Sequence, residues 1–88
     1  MEIQLTKHAL EKIALREISM DDIRKTIEDP DETRKDRLDP TIVHMIKKID
    51  GKYLRVIGKW TDAENFLIIS AFYDRRLLRG GFHDQDRI

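Results

Sequence analysis

Three groupings of cationic and ring-bearing side chains in this sequence have the spacing to act together. Tyr53, Arg55, Ile57 and Lys59 alternate, so in a strand they share one face. Tyr73 and Arg75 can share a face at the end of the next apolar run, and if the two faces match, the groups converge. His8, Lys12 and Arg16 follow one another at i, i+4 and i+8 and make a basic stripe along a helical segment. The third grouping is the stretch from Arg75 to His83, where Arg75, Arg76 and Arg79 occur with no acid between Asp74 and Asp84, beside the flexible pair Gly80-Gly81. Its arginines could grip a phosphate backbone, Phe82 could stack a base, and His83 could serve as acid or base.

Each grouping also has an ordinary reading. Arg55 and Lys59 would solvate the outer face of a sheet, with Tyr53 and Tyr73 packed on it. His8 lies near a helix N-terminus, where the dipole favours a neutral imidazole and where a histidine can equally cap or pack. His44 alternates with Ile42 and Ile46 and reads as a semi-buried structural histidine. The arginine-rich tail could bind a partner, form a dimer, or be a solvated end. Metal chemistry finds no support, because His8, His44 and His83 lack ligand-type spacing and the carboxylates are scattered. Ser19 is accounted for as a cap, Ser70 lies within a strand, and no glycine-rich loop leads into a helix, so neither a serine nucleophile nor a phosphate loop is expected.

The elements that must position these groups follow from periodicity. Glu2 to Leu5 alternate as a short strand or extended lead-in, and Thr6 is placed to cap a helix from Lys7 to about Arg16, with Ala9, Leu10, Ile13 and Ala14 on one face. Ser19 caps a second helix whose first turn is acidic. Ile18 and Ile23 form a hydrophobic staple, and Asp29-Pro30 stops the helix near Glu28. The polar stretch 31–41 reads as an edge strand, with a loop as the alternative, followed by a turn at Asp39-Pro40. Asp50-Gly51 between Ile42–Ile49 and Tyr53–Trp60 specifies a tight hairpin. The run from Asn65 to Tyr73, apolar on both faces, belongs inside the sheet.

Composition sets the frame. The chain has 88 residues, one hydrophobic core's worth, with 40% hydrophobic and 39% charged residues. It contains no cysteine, which excludes disulfide, thiolate-metal and cysteine-nucleophile chemistry and fits a reducing cytoplasm. No apolar run approaches the roughly 20 residues that cross a bilayer, so neither membrane nor targeting segment is expected. The charge-rich surface with few amides matches heat-adapted proteins. Formal net charge is zero, so affinity for nucleic acid has to come from a local patch.

The series Lys7-His8-Ala9-Leu10, Arg16 before Ile18-Ser19, Asp29-Pro30-Asp31, the hairpin from Ile49 to Val56, and Ala71-Phe72-Tyr73-Asp74-Arg75-Arg76 resembles a family of small archaeal and bacterial proteins similar to RelE-type toxins, in a RelE/BrnT-like superfamily. The resemblance spans about Leu5 to Arg76. It implies an α+β domain over residues 1–88, with two N-terminal helices packed on a three- to four-stranded antiparallel sheet and a tail from 77 to 88. It also implies a metal-independent endoribonuclease of cytoplasmic toxin–antitoxin type, needing no cofactor. Such cleavage needs a base for the 2′-hydroxyl, an acid for the leaving oxygen and cations around the phosphate. Arg55, Tyr73, Arg75 and His83 are the catalytic candidates, and Lys12, Arg16, Lys59, Arg76, Arg79 and Phe82 the RNA-binding ones. RNA or the ribosome, an antitoxin protein and a second copy of the chain are the partners to expect. The alternative on the same fold is a non-enzymatic module that binds a protein partner or itself.

Overall fold

In the computed structural model, which describes residues 1–80 and side chains as far as Leu77, Asp50 and Gly51 both adopt left-handed backbone, with φ of 52° and 79°. Two such residues in succession make the type I′ turn whose twist matches that of the strands it joins. The strands are β3 (Val43–Ile49) and β4 (Lys52–Trp60), and the turn sets their register, with Ile49 opposite Lys52 and Ile46 opposite Arg55. Upstream lie β1 (Glu2–Leu5), α1 (Lys7–Leu15), α2 (Met20–Glu28) and β2 (Glu32–Lys35). Downstream lie β5 (Asn65–Tyr73) and the short α3 (Arg75–Gly80).

The sheet differs from the three or four antiparallel strands expected. It has five strands in the order β1-β5-β4-β3-β2, and β1 runs parallel to β5. The lead-in Glu2 to Leu5 is therefore a strand that closes the far edge, and the chain begins with sheet before its helices. The connection from β1 to a parallel neighbour requires a long crossover, and α1, α2 and the antiparallel strands supply it. Residues 75–80, expected to open a tail, form a third helix begun by Asp74, whose carboxylate accepts the Arg76 amide at 3.0 Å. The tail expected over 77–88 otherwise lies outside the described residues.

The helices end where local chemistry ends them. Thr6 Oγ1 accepts the Ala9 amide and Ser19 Oγ the Asp22 amide, each at 3.0 Å. At the other end of α1, Glu17 sits at φ 55°, the Ile18 amide donates to Ile13 O and the Glu17 amide to Ala14 O. This is a Schellman closure with glutamate in the place glycine usually takes. Ile13 and Ile18, the two apolar residues that such a closure brings together, are both buried.

Strand alternation then sorts side chains between two faces. Leu54, Val56, Phe66, Ile68 and Ala71 join Ala9, Ile13, Ile18, Ile23 and Ile27 in one core beneath α1 and α2. Gly58 belongs to this face: a Cβ there would meet the Phe66 ring at 2.7 Å and press on the Leu67 carbonyl. The opposite face carries Arg34, His44, Ile46, Tyr53, Arg55, Ile57, Lys59 and Phe72. Beside Arg55 this face meets the short α3, which packs on β4. Ile46 and Leu77 are both buried yet stand outside the main core.

Candidate functional site

On the face away from α1 and α2, the cross-strand pairing of Ile46 with Arg55 and of Arg34 with His44 puts His44 diagonally beside Arg55, with Arg34 next to it. Arg55 is only 8% exposed, so its charge must be met locally. Its Nη2 lies 3.1 Å from Asp74 Oδ2, an ion pair short of a well-aligned hydrogen bond, and its Nη1 lies 3.0 Å from His44 Nδ1. Arg55 Nε is buried and finds no acceptor among the described residues.

The ring of His44 is held at both ends. Its Nε2 lies 2.8 Å from Asp36 Oδ1, while the other Asp36 oxygen accepts the Leu38 and Asp39 amides at 3.1 Å each. A guanidinium can only donate and an ionised carboxylate can only accept. Nδ1 therefore carries the lone pair and Nε2 the proton, which makes the ring neutral. A continuous chain results, from Asp36 through His44 and Arg55 to Asp74 and on to Arg76, whose Nε lies 3.5 Å from Asp74 Oδ1. Glu32 pairs with Arg34 alongside.

The electrostatics follow from these contacts. Burial pushes the Arg55 guanidinium below its ordinary value, against the pull of Asp74. Burial is also the strongest single influence on Asp74 and raises its carboxyl. The Arg76 hydrogen bond and the charges of Arg55 and Arg76 together outweigh it, and the net direction is down. The hydrogen bond from His44, followed by the two loop amides, holds the Asp36 carboxyl below the usual carboxylate range.

Next to this chain opens a cavity of about 590 Å³ lined by Arg34, Lys35, Asp36, Arg37, Leu38, His44 and Arg55. Its size falls within the range of small-molecule and nucleotide sites. Four of these residues are cationic and one is a carboxylate, in a chain of zero net charge. Leu38 at its rim is 95% exposed.

The structure gathers some of the sequence candidates and separates others. Arg55 and Arg76 meet at Asp74, and Lys59 shares the Arg55 face and approaches the 36–42 loop through Asp39. Tyr73 does not join them. It pairs with Leu54, packs against the core under the helices and stacks with Lys52 Nζ at 5.2 Å from its ring centroid. Burial and nearby Asp22 and Asp50 raise its phenol, which suits packing and not proton abstraction. The expected convergence of Tyr73 with Arg55 fails because residues 73 and 55 lie one step out of phase across β4 and β5. Arg75 is exposed at the start of α3. His8, Lys12 and Arg16 lie on α1, on the other side of the sheet, where Arg16 Nη1 donates to Ala71 O at 2.9 Å and ties the helix to β5. Phe82, His83 and the side chain of Arg79 lie outside the described residues.

The sequence reading passed over Arg34, Lys35, Asp36, Arg37 and Asp74 and gave His44 only a structural place. A signal for His44 was present: counting back from the two-residue turn pairs Ile46 with Arg55 and sets His44 on the same face. Asp36 and Asp74 had none, because both sit just outside strands. Among the described residues no group of three His, Cys, Asp or Glu could hold a metal ion, and no helix is long and apolar enough to cross a membrane. The model of a family described as "Domain of unknown function (DUF4258)" matches residues 5–73. Comparison with curated proteins and with solved structures gives no match.

Proposed function

The chain belongs to the DUF4258 family, and on that premise we propose that it is a RelE-like, toxin-type protein that engages RNA through the cationic cavity on the face away from α1 and α2. The observation that carries this reading is the gathering of Arg34, Lys35, Arg37 and Arg55 around one cavity in a chain whose formal net charge is zero. Affinity for a phosphate backbone comes from local accumulation of cations, each of which releases a counterion, so total neutrality is no obstacle. Metal-independent endoribonuclease action is the activity this reading carries, with the buried Arg55 as the cation nearest the reacting phosphate. Its centre moves from the tail toward β2, β3 and β4, and Tyr73 drops out of it.

The second reading, an interaction module without catalysis, has its own support. Both nitrogens of His44 are engaged and Arg55 is tied to Asp74, so this cluster offers no unengaged base. The test is to incubate the full chain with single-stranded RNA in chelator and follow both binding and cleavage, comparing wild type with Arg37→Ala and Lys35→Ala. Cleavage lost in the variants supports the nuclease. Binding without cleavage supports the module acting on RNA. No binding by wild type sinks the RNA reading.

A further inference from the structure

Building on the RNA reading, we propose that Asp36 is an internal stand-in for a ligand phosphate: its carboxylate occupies the contact to His44 Nε2 that a phosphate oxygen of bound RNA takes over. The Nε2–H donor is prepared from the opposite side. Arg55 donates to Nδ1 at 3.0 Å and is itself anchored by Asp74 in the sheet, so the tautomer is fixed whether or not Asp36 is in place. Asp36 follows β2 in a loop, where its backbone amide donates to Ile42 O at 2.9 Å.

Two features give the exchange a direction. Asp36 is the only carboxylate among the described residues that line the cavity, beside four cations. It presents one oxygen to His44 and the other to two backbone amides, the multi-donor surroundings that a phosphate also takes. The carboxylate thus holds the donors in order in the free protein and opposes single small anions by like-charge repulsion. A polyanion wins the exchange because its neighbouring phosphates reach Lys35 and Arg37 at the same time.

An unusual prediction follows: removing a residue that lines the site strengthens binding. Full-length wild type, Asp36→Asn and Asp39→Asn are titrated with a fluorescently labelled single-stranded oligoribonucleotide at low salt and read by anisotropy. Asparagine keeps an acceptor for the Leu38 and Asp39 amides, and thermal unfolding checks that the variants fold, with Asp36→Ser as a second neutral variant. Asp36→Asn binds roughly tenfold tighter than wild type, as expected for losing a like charge at contact distance. Asp39→Asn, a neutralisation on the same loop that leaves His44 untouched, stays within about twofold of wild type. Inorganic phosphate competes only at far higher concentration than RNA phosphate. Wild-type binding with Asp36→Asn equal or weaker, or with Asp39→Asn equally strengthened, overturns the stand-in and leaves the RNA reading in place. Displacement of RNA by equimolar inorganic phosphate overturns the assignment to RNA. Failure of every protein to bind overturns the reading on which the inference rests.

Discussion

The two faces of β4 are built from alternate residues of one strand and stand under opposite rules. Leu54, Val56 and Gly58 meet α1, α2 and the Phe66 ring in a dry core, where stability comes from shape and apolar area. Tyr53, Arg55, Ile57 and Lys59 face the other way, where Arg55 is as buried as a core residue yet is held by charge and hydrogen bonds. A core residue can be trimmed at the cost of a cavity. A buried ion of this kind cannot lose one partner without stranding the other. The difference teaches that burial alone does not tell the two faces apart; the kind of contact does.

The largest expected effect lies on the apolar face. Phe66, fully buried, truncated to alanine costs about 3–5 kcal/mol, measured by urea unfolding, and leaves RNA affinity unchanged in the fraction that folds. Arg55→Ala follows at about 3 kcal/mol, because Asp74 is left buried with only the exposed Arg76 beside it. The comparison sharpens with pH. Asp74's carboxyl is held below its unfolded value, so its contribution is fully present above the unfolded value and is lost as pH falls through the folded one. Wild type and Arg55→Ala therefore converge in stability in acid and diverge toward neutrality. A constant gap across that window would break the assignment of the pair. Glu17→Gly is the smallest, a stabilisation of up to about 1 kcal/mol from placing glycine at φ 55°, seen as a Tm raised by a few degrees.

Much of the fold was legible where local chemistry decides it. The Thr6 and Ser19 caps, the stop at Asp29-Pro30 and the Asp50-Gly51 turn are each set by a few neighbouring residues. The parallel pairing of β1 was not, because alternation at Glu2–Leu5 allows a strand or a lead-in and the choice is made by β5, more than sixty positions away. The short helix after Asp74 depends on a cap that also serves Arg55, a double role that shows only in three dimensions. The candidate site divides in the same way. Arg55 was found from alternation, while Asp36 and the 36–42 loop met His44 through a tertiary contact that no local pattern encodes. Tyr73 was misplaced because its face depends on the register of β5, and the shift near Gly58 sits between the two ends of that pairing.

The central claim is that the cationic cavity, and not the lysines of α1, meets RNA. Lys35→Ala/Arg37→Ala and Lys7→Ala/Lys12→Ala remove the same charge, the first pair beside the cavity and the second from α1, and RNA affinity is measured for both across a range of salt concentrations. The account predicts that the cavity pair loses about tenfold in affinity and that its salt slope falls by about 1.4, the value for two phosphate contacts on a single strand, while the helix pair follows wild type. Equal losses from both pairs, or a loss confined to the α1 pair, would contradict it.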